Sequence, residues 1–106
     1  MCQHFLRGIT KNINIDDIEY FEVAHAVITV HYEEDESFEF YSTMDKITEK
    51  LFGKNFVRPH RSFLVNLGKV KEKQDGKLLM QSGTLVPIAR GKNEEVDQEL
   101  KRVHKI

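Results

Sequence analysis

Phe56-Val57-Arg58-Pro59-His60-Arg61-Ser62-Phe63-Leu64-Val65-Asn66-Leu67 is the stretch on which the reading of this chain turns. Basic side chains interleave with core-type apolar ones across a change from strand to turn. Phe56, Phe63 and Val65 can anchor a connection rigidly while Arg58, His60 and Arg61 are offered outward, as holding a guanidinium against guanine O6 and N7 requires. The same spacing also describes a packed loop with solvated arginines, and the stretch alone leaves both readings open. Locally, Phe56-Val57-Arg58 predicts a brief strand stopped by Pro59. Ser62 predicts the cap of one helical turn over Phe63-Leu64-Val65, before Asn66 turns the chain.

Downstream, Lys69 to Lys73 and Lys77 to Met80 flank Gln74-Asp75-Gly76, a hairpin signal. A turn at Gln81-Ser82-Gly83 leads into a strand from Thr84 to Ile88, in which Pro87, having no N–H, must sit at an edge or an end. Leu85-Val86-Pro87-Ile88-Ala89-Arg90-Gly91-Lys92-Asn93 then repeats the theme of the first stretch. Its strand ends at Ile88, and Arg90 and Lys92 emerge beside a glycine that permits close backbone approach, just before a helix. Asn93 to Ile106 reads as that helix, amphipathic, with Val96, Leu100 and Val103 on one face. Glu94, Glu95 and Asp97 come early and Lys101, Arg102 and Lys105 late, each favourable to the helix dipole by about 0.3–1 kcal/mol. An acidic helix start pushed into a groove would meet phosphates with the wrong sign, so this helix is expected to be structural.

Upstream, Asn12-Ile13-Asn14-Ile15 alternates, and Ile18 to Val23 and Val27 to Tyr32 are dense in β-branched and aromatic residues. Phe38 to Tyr41 pairs with the latter across Glu33-Glu34-Asp35-Glu36, an acidic turn without the alternating ligands and central glycine of a calcium loop. Ser42-Thr43 as a cap, apolar Met44, Ile47 and Leu51, and Gly53 as a stop describe a short helix.

With 106 residues the chain has room for one domain, and 40% hydrophobic residues with seven Phe and three Tyr disfavour disorder. No apolar run approaches the ~20 residues of a membrane span, and Met1 to Arg7 lacks a signal-type apolar region, so a cytoplasmic protein without membrane contact is expected. The single cysteine, Cys2, forms neither an internal disulfide nor a metal framework. The net charge of −1 hides an asymmetry: residues 1–55 hold five Lys/Arg against eleven Asp/Glu, and residues 56–106 hold eleven against six. Such polarity suits a basic face toward a polyanion, although chance segregation produces it too. His25, His31 and His60 are not organised by HExxH, CxxC or a carboxylate cluster, and Ser62 beside His60 lacks a GxSxG elbow. Phosphate-cradling glycine motifs are absent as well. No catalytic set, metal site or cofactor is expected.

Taken together, the two cation-bearing segments resemble the LytTR family of bacterial DNA-binding domains. The family pattern runs aromatic, Arg, any residue, His, a polar or basic residue, Ser, aromatic, two aliphatics and Asn, and Phe56 to Asn66 follows it nearly throughout. The Ile18 to Glu22 strand, the strand and helix from Phe38 to Phe52, and the Pro87-Ile88-Ala89-Arg90 exit into the last helix also fall in family order. The resemblance implies that residues 1–106 form a single LytTR-type domain of mainly β fold. Its architecture would be an elongated arrangement of small antiparallel β-sheets, with one short internal helix and a C-terminal amphipathic helix.

The implied function is sequence-specific binding of double-stranded DNA by a two-component transcription regulator, through loops set in successive major grooves. Carried over residue by residue, His25, Arg61 and Arg90 would contact bases, and Ser62, through its hydroxyl and an N–H at a helical turn, and Lys92 would contact phosphates. His60 is expected as a hydrogen-bonded structural residue, Arg58 as a candidate partner of a carboxylate inside the fold, and Asn66 as a turn former. Paired DNA repeats, a homodimer on DNA and a receiver domain in a longer parent chain are further implications. The rival reading is a protein-interaction module on the same fold without DNA binding, favoured by the acidic first half. Single-stranded RNA fits less well, because the aromatics lie in core-like alternation.

Overall fold

Antiparallel hairpins joined by short turns account for most of the chain. The computed structural model describes residues 13–33 and 36–103. Cys2, Asn12, the centre of the acidic turn and the last three residues of the C-terminal amphipathic segment lie outside them. Strands β1 (Ile18–Ala24), β2 (Val27–Tyr32), β3 (Glu36–Tyr41), β4 (Phe56–His60) and β5 (Phe63–Asn66) form one sheet in the order β3-β2-β1-β5-β4. Strands β6 (Val70–Gln74), β7 (Lys77–Met80) and β8 (Leu85–Pro87) form a second sheet in that order. Helix α1 (Met44–Lys50) follows β3 and α2 (Asn93–Val103) follows β8. All strand pairs are antiparallel, and the extents of 37 × 32 × 25 Å give a somewhat elongated body.

The five-stranded sheet is buried on both faces at its centre. One face carries Ile18, Phe21, Ile28, Val30 and Leu64 against Met44, Ile47 and Leu51 of the α1 region. The opposite face carries Tyr20, Val57 and Val65 against Leu78, Met80, Val86 and the α2 residue Val96, with Leu100 and Val103 packed alongside. Period-2 alternation on β1 and β5 thus feeds two cores instead of one core and solvent. Two buried polar residues tie the layers. Glu19, at a bulge between Ile18 and Tyr20, accepts the Ser82 N–H at 2.9 Å. Asn66 donates to the Ile18 carbonyl at 2.8 Å and accepts the Gly68 N–H at 3.0 Å, capping the 3-10 turn Leu67–Lys69.

Three local expectations are corrected. Residues Ile15–Asp17 form a 3-10 turn, where alternation predicted a strand across Asn12 to Ile15; the Asn14 side chain accepts the Asp16 N–H at 3.0 Å and competes with strand geometry. Phe63 to Val65 is not a helical turn but part of β5, because β1 on one side and β4 on the other supply ladder partners for its backbone. Pro59 does not stop β4 but lies within it, on the sheet edge, where the register shifts between Val57 and His60 and no donor is needed. Thr43 caps α1 through its hydroxyl, and α2 begins at Asn93, as the patterns predict.

Leu64→Ala empties a site only 1% exposed and is expected to lower the unfolding free energy by about 2–5 kcal/mol in a denaturant titration, against less than ~1 kcal/mol for Leu85→Ala at 46% exposure. Burial pushes the Tyr20 phenol above its ordinary value of 10.0; a hydrogen bond to Thr84 opposes the shift and the Glu22 and Glu19 carboxylates add to it. The fold therefore favours the neutral phenol, so this stabilisation is complete below pH 10 and is lost as pH rises through the folded value. Urea midpoints measured across the alkaline range should fall for the wild type and fall less steeply for Tyr20→Phe.

Candidate nucleic-acid interface

Strand order brings three connections to one end of the five-stranded sheet. β1 and β5 are antiparallel neighbours, and the Val23 N–H donates to the Ser62 carbonyl at 3.0 Å. The β1–β2 turn, His25-Ala26, therefore projects beside the β4–β5 turn, Arg61-Ser62. From the second sheet, the loop leaving β8 reaches the same place, where the Ala89 N–H donates to the Pro59 carbonyl at 2.8 Å.

Each connection is short. Ala24 pairs with Val27, so His25 and Ala26 alone close the first hairpin, with φ of +54° and +67°. Positive φ at both positions is the signature of a type I′ turn, which usually selects Asn-Gly. His tolerates that region better than most residues, whereas Ala26 holds it under strain. His60 pairs with Phe63 across Arg61-Ser62. The Lys92 N–H donates to the Ala89 carbonyl at 3.0 Å around Arg90 and Gly91, and Gly91 takes φ +86°, the requirement of a type II turn at its third residue.

Arg58, His60, Arg61, Ala89, Arg90 and Lys92 together line a groove of about 520 Å³. Four cations thus converge from β4, its turn and the β8–α2 loop. Their states differ. Arg61 and Arg90 are exposed and make no ion pair among the described residues. Lys92 lies 3.4 Å from Glu95, a half-exposed pair worth at most ~1 kcal/mol and readily given up to a phosphate. Arg58 is partly covered and engaged at the surface, donating to the exposed Asp45 at 2.7 Å and to the Arg61 carbonyl at 3.0 Å.

The remaining predicted residues are placed as follows. His25 is exposed on the adjacent turn and does not line the groove. Ser62 follows Arg61 in the turn but is not among the groove-lining residues, and its N–H is donated to His60 Nδ1 at 3.1 Å, which leaves the hydroxyl as the group on offer. That bond requires a lone pair on Nδ1, so a neutral His60 carries its proton on Nε2, and the ring sits edge-on to Phe63 at 5.8 Å. Arg58, expected as the partner of a carboxylate, meets one and also lines the groove. One neighbour escaped the sequence reading. Tyr41, 85% exposed and paired with Val27, stands beside the His25 turn, a position that only the β2–β3 register reveals.

The LytTr DNA-binding domain family model matches residues 9–101. The sensory transduction protein LytT of Bacillus anthracis and that of Bacillus cereus are each 30% identical over 94 residues, 84% of this chain. The chain spans 38% of the length of these curated relatives. A solved LytTr DNA-binding domain from Bacillus cereus superposes with a TM-score of 0.72 at 21% identity, covering 87% of this chain and 91% of that one, and so shares the fold.

The turn geometry yields opposite expectations for two small substitutions. Ala26→Gly relieves left-handed strain and should raise stability by about 0.5–1 kcal/mol, whereas Gly91→Ala, with open space around the added methyl but the wrong φ, should lower it by about 1–2 kcal/mol. Thermal or urea unfolding of the two variants checks both signs.

Proposed function

Because the chain belongs to the LytTR family of DNA-binding domains, we propose that residues 1–106 act as one domain that binds double-stranded DNA in a sequence-specific manner. Arg61 and Arg90 read bases, His25 adds a third base contact from the neighbouring turn, and the Ser62 hydroxyl and Lys92 grip phosphates. The single observation that carries this reading is the shared groove: two guanidiniums that form no ion pair among the described residues, from connections of different sheets, open on one side of the molecule. A guanidinium donates two parallel N–H groups, which match O6 and N7 of a guanine, and rigid strand ends hold it ready.

The geometry of the loops supports insertion from the sheet's end. Two-residue turns project little backbone and hold few soft torsions, so side chains at their tips enter a groove with small ordering cost. The α2 start, with Glu94 and Glu95 in its first turn, is unsuited to that task. In this reading successive turns meet successive major grooves, a homodimer forms on paired repeats, and a receiver domain in a longer cytoplasmic two-component regulator governs access. The curated relatives, being longer than the matched part and named as sensory transduction proteins, favour that setting.

Selection from a random duplex pool, followed by electrophoretic titration at two salt concentrations, tests the proposal. An enriched sequence and a steep salt slope are expected; a flat slope with no enrichment would favour the protein-interaction reading instead. Arg61→Ala and Arg90→Ala should each cost about 1–3 kcal/mol on the selected duplex and relax its sequence preference. Lys92→Ala should weaken all duplexes alike and reduce the salt slope by about 1. Equal losses on selected and scrambled duplex for both arginine variants would remove their base-reading roles.

A further inference from the structure

We propose that Arg58 is the positioning residue of the interface, a clamp that sets the direction in which Arg61 is presented. The inference rests on the reading of Arg61 as a base contact. Arg58 sends one terminal nitrogen to Asp45 Oδ1 at 2.7 Å and the other to the backbone carbonyl of Arg61 at 3.0 Å, which links the first turn of α1 to the tip of the β4–β5 connection. Its Nε is buried and has no hydrogen-bond partner among the described residues, so the guanidinium is oriented by these two terminal bonds.

The turn needs such a clamp. Pro59 cannot donate to the ladder, and the register shift between Val57 and His60 interrupts β4–β5 pairing just where the chain approaches Arg61. Three other bonds steady the turn: Val23 N–H to the Ser62 carbonyl, Ala89 N–H to the Pro59 carbonyl, and Ser62 N–H to His60 Nδ1. The first two hold the flanking peptides, and the third holds the N–H side of the peptide that joins Arg61 to Ser62. Arg58 takes the carbonyl side of that same peptide, so the two bonds together fix its plane.

Anchoring separates this role from direct phosphate binding. The Arg58 side chain is 28% exposed and is held at two points, Asp45 and the Arg61 carbonyl, whereas among the described residues Arg61 and Arg90 form no ion pair. Asp45 is itself 87% exposed, so the carbonyl bond and the covered Nε are what keep the guanidinium in place. The planar fork also matters: an ammonium keeps the charge but cannot span a carboxylate and a carbonyl along two fixed directions.

Arg58→Lys and Asp45→Asn test the assignment in the whole chain. Binding is measured on the duplex enriched by the wild type and on a scrambled duplex at two salt concentrations. Amide exchange of Ser62 and Val23 is followed in the DNA-free protein, and melting temperature reports folding. Arg58→Lys should lower the ratio of selected to scrambled affinity about tenfold, with the salt slope kept and exchange at Ser62 and Val23 accelerated. Asp45→Asn should move the same readouts in the same direction by less. Unchanged selectivity and protection in Arg58→Lys would overturn the proposal, as would tighter binding of both duplexes with a steeper salt slope in Asp45→Asn, the mark of a phosphate contact. If the wild type enriches no duplex, the base-reading role of Arg61 falls, and the exchange data alone decide whether Arg58 holds the turn.

Discussion

A single backbone hydrogen bond, from the Ala89 N–H to the Pro59 carbonyl, makes one surface out of two sheets. Pro59 enables it from both directions. With no N–H, the residue belongs on a sheet edge, and the local register shift turns its carbonyl away from β5 and toward the loop after β8. The β4–β5 turn and the β8–α2 loop then share a floor, and Arg61 and Arg90 stand on the same side. The shared core already packs the two sheets together, and this contact sets the two loops directly against each other.

Rigidity behind the groove comes from the doubly covered sheet. β1 and β5 bury alternate residues in two different cores, so neither strand can shift without disturbing both. Glu19 and Asn66, buried and fully engaged, pin the second sheet and the 3-10 turn Leu67–Lys69 to β1. Exposed cations at the ends of such strands are held by their backbone and remain free at their tips, the division of labour that a DNA reader needs.

The charge asymmetry of the chain acquires a spatial meaning. The groove's cations all come from the basic second half, and the acidic first half lends one carboxylate, Asp45, to Arg58. The Glu22 and His31 pair at 2.6 Å, with His31 stacked on Tyr20, is not among the groove-lining residues and ties up the Glu22 carboxylate in a local hydrogen bond. Segregation along the sequence is thus converted into a cationic groove and not into a uniformly basic body.

Much of this was legible in the residues themselves. Gln74-Asp75-Gly76 announced a hairpin, Val96, Leu100 and Val103 announced a buried helix face, and Thr43 announced a helix cap, because turn chemistry and hydrophobic period act over four to ten residues. The same local horizon explains the misreading of Phe63 to Val65: a capping serine before three apolar residues is compatible with a helical turn, and only partners on both sides select the strand. It also explains why the residues could offer Arg58 a carboxylate partner without saying that the carboxylate is Asp45 of α1. The sequence by itself determined which side chains are cationic and that they sit at the ends of short β elements. Only the tertiary structure decided that Arg61 and Arg90 share a groove while Arg58 reaches across to Asp45 of α1, since those relations depend on strand order and on contacts between distant segments, which no local pattern encodes.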